Sequence, residues 1–450
     1  MDDQSLTEGL AAWLVQQRAA GLPDDVLHTA SRYVLDWLGS ALAGCHSAPG
    51  SILMQYAAGQ PTGPCTVLGS SQKHAAETAA LLNGGLSHIM EMDDLDRGSV
   101  VHPGAVVIPA ALAVAQREGA SGQDFLGAVV AGYEVAIRIG EAASKRHYFY
   151  FHNTATCGVF GATAAAGWVL GLTAGQLVWA LGNAGTMAAG LWQFNADGDM
   201  SKHLHAGRAA ANGVLAADLA RHGFTGARRI LEGERGFFAA TAPDADPARV
   251  TVSLNSHSPQ FKISGVSIKP HASCRHTHPA IDAALSLRPQ LAGRAIREVQ
   301  LDTYQAAIDL CRNPSPDTPY AAKFSLPYCV ATALLRGEVG LESFAEETIA
   351  DPAVADLMPR ILIRPNPEFE TAYPEQWPAR LCLGLKGGEW LEAAVRHPKG
   401  DPENPLTPEE LEAKFCQLAA YGGQTHAADT WIAWVRSLDS DTPLRLPTLK

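Results

Sequence analysis

Apolar positions in the first part of the chain recur at three- and four-residue steps and almost nowhere alternate. After Pro23, the residues Val26, Leu27, Tyr33, Val34 and Leu38 share one face of a 3.6-residue period. Pro23 suits the first turn of a helix, Asp24 and Asp25 suit the positive end of its dipole, and the run stops near Gly44. Ser121, with Asp124 three residues on, resembles a capping box and opens a helix over 125–143. Another helix is expected over 204–221, closed by His222-Gly223. Residues 1–265 therefore read as helix after helix.

The period changes after residue 265. Val299, Leu301 and Thr303 alternate with Glu298, Gln300 and Asp302, as in a half-buried strand. Ile361-Leu362-Ile363 is a short apolar run stopped by Pro365, and 380–385 and 390–395 flank a Gly-rich turn as in a hairpin. Helical stretches fall near 279–287 and 326–335. From Thr407 the pattern is helical again, opened by Pro408-Glu409-Glu410, with Trp431, Trp434 and Val435 on a last helix over 427–438. The expected fold class is mainly α. It has a large all-helical domain over 1–265, an inserted smaller α+β domain over 266–398, and C-terminal helices over 399–450 that return to the helical domain.

One segment competes with a water-exposed fold. Between Asn153 and Ala196 no residue is charged. A membrane hairpin is one reading, but Gly171-Leu172-Thr173 breaks the run into halves marginal for spanning, and no basic flanks orient it. The better reading is two helices buried on all sides, with small residues allowing close backbone approach. The chain has 450 residues and a formal net charge of −12, which argues against a nucleic-acid surface and gives no polybasic membrane signal. Eight cysteines are scattered without a Cys-x-x-Cys pair, and the acidic N-terminus shows no signal peptide. These features fit free thiols in the cytoplasm.

Chemistry concentrates in a few places. His88 and His102 flank a carboxylate cluster of Glu91, Asp93, Asp94 and Asp96 in apolar surroundings. Ionised acids are costly there, so one acid is expected to be buried and protonated while another orients a histidine or a substrate group. A helix end with solvated acids is the plainer alternative. Asp93-Asp94-x-Asp96 misses the spacing of a diphosphate-binding aspartate motif, because Arg97 takes the next position. Lys269 and Arg275 stand among His271, Cys274, His276 and His278; the spacing is unlike the common zinc signatures and suits an anion pocket better. Lys202, His205 and Arg208 lie at three-residue steps where a helix begins, a place for a carboxylate or phosphate. His152 stands alone before the charge-free run. No dinucleotide fingerprint, P-loop or Gly-x-Ser-x-Gly elbow is present, so no nicotinamide, flavin or ATP chemistry is expected.

The motifs occur in a specific order. His88-x-x-Glu91-x-Asp93-Asp94 is followed by His102-Pro103-Gly104, Gly132-Tyr133-Glu134-Val135 and Phe151-His152. Then come Lys202-x-x-His205-Ala206-Gly207-Arg208, Lys269-Pro270 with Ser273-Cys274-Arg275, and Ala322-Lys323-Phe324-Ser325. Across nearly its whole length the chain resembles the MmgE/PrpD family, which includes 2-methylcitrate dehydratases, cis-aconitate decarboxylases and an epimerase of iminodisuccinate. The resemblance implies a helical domain with an inserted α+β lid, a homodimer, and catalysis without a metal or organic cofactor. It places active-site roles on His102, His152, Lys202, Lys269, Glu91 and Asp94. This chain has Glu91 where dehydratase-like members usually have Asp, Leu95 where they often have Thr, and Cys274 where animal decarboxylases have His.

Elementary chemistry agrees with that class. Removing a proton α to a carboxylate sets a second negative charge beside the first, so fixed cations must offset it. Lys202, Lys269, Arg208 and Arg275 are the supply, with His205 and Cys274 as further substrate contacts. His102 or His152 is expected to act as base, oriented by Asp93 or Asp94. The expected partner is a small polycarboxylate, and the expected reaction is that of a 2-methylcitrate dehydratase-like hydro-lyase. The alternatives are an epimerase, a cis-aconitate-type decarboxylase, or a non-catalytic carboxylate binder. No nucleic acid or membrane partner is expected.

Overall fold

The computed structural model describes residues 5–254 and 260–447. The chain divides into two compact units. The first comprises the described residues up to Ile89, Asp93–Val266 and those from Thr407 onward; the second comprises Met90–Met92 and Ser267–Leu406.

The first unit is helical, and small residues decide how tightly its helices meet. Its centre is made by Ala76–Ser87, Pro103–Glu118, Gly122–Ala142, Gly158–Val169 and Ser201–Arg221, which pack on one another. Gly122–Ala142 opens as its sequence predicts, with the Ser121 hydroxyl accepting from the Asp124 N–H. It meets Gly158–Val169 at backbone distance: a Cβ on Gly132 would lie 2.4 Å from Val107 Cγ1 and 2.9 Å from the Gly161 carbonyl oxygen. Side chains at these two positions would wedge the helices apart. Asp24–Cys45 follows Pro23 and buries Val26, Leu27, Tyr33, Val34 and Leu38, as its period predicts. Pro408–Tyr421, started by a Thr407/Glu410 capping box, packs on it and ties Lys414 to the buried Asp36.

The charge-free run divides unequally. Gly158–Val169 is buried on nearly every side, as expected. Ala174–Gly185 is not: it buries one face through Leu177, Val178, Ala180, Leu181 and Ala184 and leaves Gly175 and Gln176 toward solvent. The uncharged polar residues Thr173 and Gln176 cap its start and need no charge to do so. No described helix is long and apolar enough to cross a membrane. Two short antiparallel strands, Thr62–Thr66 and Lys73–His74, lie in the region read as helical throughout. At five and two residues, with a proline in the first, they show no alternation to read.

The second unit carries the sheet. Ile361–Pro365 pairs parallel with Ile296–Thr303, which pairs antiparallel with Ala379–Leu385, itself paired antiparallel with Trp390–Val395. Val299 stands between Ile361 and Leu383, all buried, while Gln300 turns to the half-buried face. The helix His278–Leu291 covers the Ala379–Val395 hairpin, and Leu326–Arg336 packs on that helix.

Candidate active site

The loop after Ala76–Ser87 places the acids. His88 ends that helix, and the chain then runs to His102 without regular structure. Glu91 (φ 57°) and Val100 (φ 52°) hold left-handed conformations, unfavourable for any side chain and more so for β-branched valine. A bridge of the Asp96 N–H to the Val101 carbonyl, 2.9 Å, closes the loop. Glu91, Asp93, Asp94 and Asp96 are all buried, so the reading of solvated acids at a helix end does not hold. Burial pushes Asp96 up to about 6, with Glu141 adding to the rise, although Ser99 donates to it through N–H and hydroxyl at 2.8 and 2.7 Å. A carboxyl titrating near 6 when folded and about 4 when unfolded favours the fold below pH 4 and penalises it as pH rises past 6. Asp96→Asn should therefore melt at higher temperature than the parent at pH 8 and lose that advantage near pH 4 in scanning calorimetry.

Asp93 and Asp94 are neighbours in sequence and point to different partners. His88 Nδ1 donates to Asp93 Oδ2 at 2.6 Å, and His102 Nδ1 lies 3.0 Å from the same oxygen. The Asp94 carboxyl instead accepts from the Tyr133 hydroxyl at 2.5 Å and from the Gly104 N–H at 3.0 Å. Burial holds Asp94 well above the usual carboxylate range despite the Tyr133 bond. A Cβ on Gly104 would lie 2.9 Å from both Asp94 Oδ1 and the Tyr133 hydroxyl, so only glycine fits. Asp94 thus anchors the start of Pro103–Glu118, and Asp93 is the acid beside the histidines.

The histidines form one buried cluster in the first unit. His88 stacks on His152 with ring centroids 5.4 Å apart and 16° between planes, and meets His102 edge-on at 4.8 Å. His152 Nδ1 lies 3.4 Å from His205 Nδ1, and Trp192 and Phe194 wall the pair. Burial drives His152 well below the ordinary histidine range, and His88, Lys202, His205 and His102 add to the drop. It is a neutral imidazole at neutral pH. His205 is lowered for the same leading reason, burial. Lys202 is buried in the first turn of Ser201–Arg221, His205 is half-buried one turn on, and Arg208 is exposed and bonds Asn212 at 2.8 Å. The three-residue steps lead the cations out of the cluster, so Arg208 does not join it.

The second unit brings the other expected residues together differently. Lys269 Nζ is fully buried and donates to the Glu91 carbonyl and carboxylate at 3.3 and 3.2 Å. Lys323 Nζ donates to the Met90 carbonyl at 2.8 Å, so two buried lysines hold the 90–92 strip. Cys274 is lowered from the usual thiol range, first by a hydrogen bond from the Cys311 thiol, while burial opposes. Arg275 is matched by buried Asp401 at 2.5 Å and bonds the Lys399 and Pro398 carbonyls. Its charge is consumed inside the unit. His276 bonds the Tyr304 hydroxyl at 2.6 Å and stacks flat on Trp377 at 4.1 Å; burial drops it to about 3. His278 faces Arg275 and Ser273, and His271 faces Asp282. These side chains diverge and make no zinc site among the described residues.

Two groups of described residues place three donor atoms within 4.8 Å: His88, Asp93 and His102, and His397, Asp401 and Glu403. In the second, Asp401 Oδ1 already serves Ser267 and Arg275. In the first, the 2.6 Å contact of His88 with Asp93 is a hydrogen bond, shorter than the roughly 3.3 Å that separates two ligands of one tetrahedral zinc. Two residues not singled out as site members from sequence join the clusters: His88, though it flanks the acids, and Lys323, though it sits in the Ala-Lys-Phe-Ser motif.

The first unit holds a buried acid–histidine cluster with a buried lysine, a set of groups suited to general acid–base chemistry on an anion. The MmgE/PrpD N-terminal domain model matches residues 8–250 and the MmgE/PrpD C-terminal domain model residues 271–440. The chain belongs to the MmgE/PrpD family. It is similar to the cis-aconitate decarboxylase-like protein oryM of Aspergillus oryzae, with 27% identity over 92% of this chain and 91% of that one. It is similar to the cis-aconitate decarboxylase of Aspergillus terreus, with 28% identity over 92% and 89%. It is also similar to the human cis-aconitate decarboxylase, with 30% identity over 97% and 92%. The family and these relatives make the chain an enzyme of carboxylic-acid metabolism.

Proposed function

We propose that this enzyme is a lyase that moves a proton at the carbon α to a carboxylate of a small di- or tricarboxylate, without a metal or organic cofactor. A cis-aconitate-type tricarboxylate is its first candidate substrate. The observation that carries the reading is His102 held 3.0 Å from the buried Asp93, with Lys202 in the same cluster. Asp93 stabilises an imidazolium at His102, and Nδ1 faces that acid, so Nε2 is the nitrogen that exchanges a proton with substrate. Lys202 offsets the charge that grows on the substrate carboxylate. In decarboxylation, the bond to the departing carboxylate breaks and its electron pair becomes a new C=C. The old C=C pair takes the proton from His102 at the α-carbon, and CO₂ leaves. The similarity to cis-aconitate decarboxylases supports decarboxylation as the first reading.

A hydro-lyase is the second reading, favoured by the neutral His152 beside His205. Dehydration needs one group to take the α-proton and another to protonate the leaving hydroxyl, and the pair supplies a second carrier. Epimerisation would use the same set with the proton returned to the other face. Lys269 and Cys274 remain proposed substrate contacts and Glu91 a proposed catalytic residue, while Arg275 and Arg208 are assigned structural and surface roles. We also propose a cytoplasmic homodimer. Eight free thiols support the compartment, and the exposed Phe149, Tyr150, Leu191, Met200 and Leu204 support a partner surface that light scattering would detect as a doubled mass.

The test is turnover of cis-aconitate, 2-methylcitrate, citrate and iminodisuccinate, followed by proton NMR, before and after dialysis against EDTA. Olefin formation with CO₂ release, unaffected by EDTA, is expected. Saturable binding without turnover of any of the four would favour the carboxylate binder, and loss restored by a divalent ion would overturn the metal-free reading.

A further inference from the structure

His88 is fully buried, its ring touches those of both His102 and His152, and its polar bond among the described residues is the 2.6 Å bond to Asp93 Oδ2. That oxygen also lies 3.0 Å from His102 Nδ1. An ionised carboxylate oxygen accepts and does not donate, so the proton in the short bond belongs to His88 Nδ1. The distances rank the two contacts: the stronger one goes to the histidine away from the proposed reaction. An oxygen that already accepts one strong bond is a weaker acceptor for the next donor.

From this we infer that His88 is a positioning residue for the proton transfer: its Nδ1–H holds Asp93 Oδ2 and limits how strongly Asp93 pairs with His102. The carboxylate is thereby fixed in place for His102 and prevented from locking it as a permanent imidazolium. A residue that must both hold and release a proton needs that restraint. Its ring face on His152 ties the second histidine to the same acid. Among the described groups, His88 and His102 face this oxygen at 2.6 and 3.0 Å, the Asp93 charge raises the neighbouring Asp94, and His88, His102, His205 and Lys202 all act on His152.

Two substitutions separate the bond from the ring. His88→Phe keeps an aromatic face against His152 and removes the donor. His88→Asn loses the ring, but its amide can reach Asp93 from roughly the position of Nδ1. The readout is the titration of His102, followed by ¹³C NMR of labelled histidine and assigned with a His102 variant. Without the His88 donor, Asp93 should pair more strongly with His102, and the His102 titration should move up by about half a pH unit or more. The Asn variant should stay near the parent. The acid limb of kcat/KM should follow the same shift. An unchanged or lowered His102 titration in His88→Phe overturns the inference, as does an equal rise in both variants, which would make the ring the cause. If neither variant folds, ¹⁵N shifts of the unmodified enzyme decide: His88 must be the Nδ1–H tautomer, and an Nε2–H tautomer overturns the proposal. The kinetic arm rests on the proposed reaction, but the NMR arms do not. An enzyme without turnover on any acid would sink that reading and still leave the role of His88 decided.

Discussion

His102→Gln should lower kcat by about 10³-fold while KM changes by less than about fivefold. The glutamine keeps a polar group of similar reach but cannot take up or release a proton near neutral pH. The site around it should survive. His102 precedes Pro103–Glu118, and its backbone N–H, not its ring, bonds the Thr154 hydroxyl at 3.1 Å. The helix start is anchored independently by Asp94 and Gly104. Circular dichroism and melting temperature should therefore match the parent closely. A His102→Gln enzyme with kcat within about threefold of the parent would move the proton transfer to another group. His152, neutral and 3.4 Å from His205, is the first to examine.

Lys202→Met should lower kcat/KM by about 10³-fold, with kcat and KM both affected. Methionine fills most of the buried lysine's volume, so the loss reports charge and not a cavity. Lys202→Arg should recover little, because a planar guanidinium does not replace a compact ammonium in a closed space. A second readout tests the same placement. Lys202 helps to depress His152, so removing its charge should let the His152 titration rise. Normal kinetics in Lys202→Met would take the lysine out of the reaction, and an unmoved His152 would take it out of the cluster.

The helices of the first unit were legible because burial on one side leaves a 3.6-residue period, as in Asp24–Cys45 and Gly122–Ala142. The sheet was legible where a strand has one buried face, as in Ile296–Thr303, and where glycines mark the turn before Trp390. The two strands at 62–66 and 73–74 were not, because they are too short to show a period. The one-sided burial of Ala174–Gly185 was not legible because its outward positions, Gly175, Gln176, Trp179 and Asn183, carry no charge.

The site divides along the same line. Which residue types gather could be read from the motifs; which way each points could not. Asp93 and Asp94 sit in a loop without a repeat, so nothing in their spacing tells that one faces His88 and His102 and the other Tyr133. The histidines near Cys274 looked like metal ligands by type. Trp377, Tyr304, Arg275 and Asp282 draw them apart, and each of those partners is remote in sequence or turned by local backbone. Arg275 looked like a free cation because its partner, Asp401, lies more than a hundred residues on.

The central claim is that a proton crosses between His102 and the α-carbon of a carboxylate. It is tested most directly by turning over cis-aconitate in D₂O and locating deuterium in the product by proton NMR. The account predicts CO₂ release with one deuteron on the carbon α to a remaining carboxylate, and near loss of both in His102→Gln. A product formed at full rate without deuterium at that carbon would contradict it.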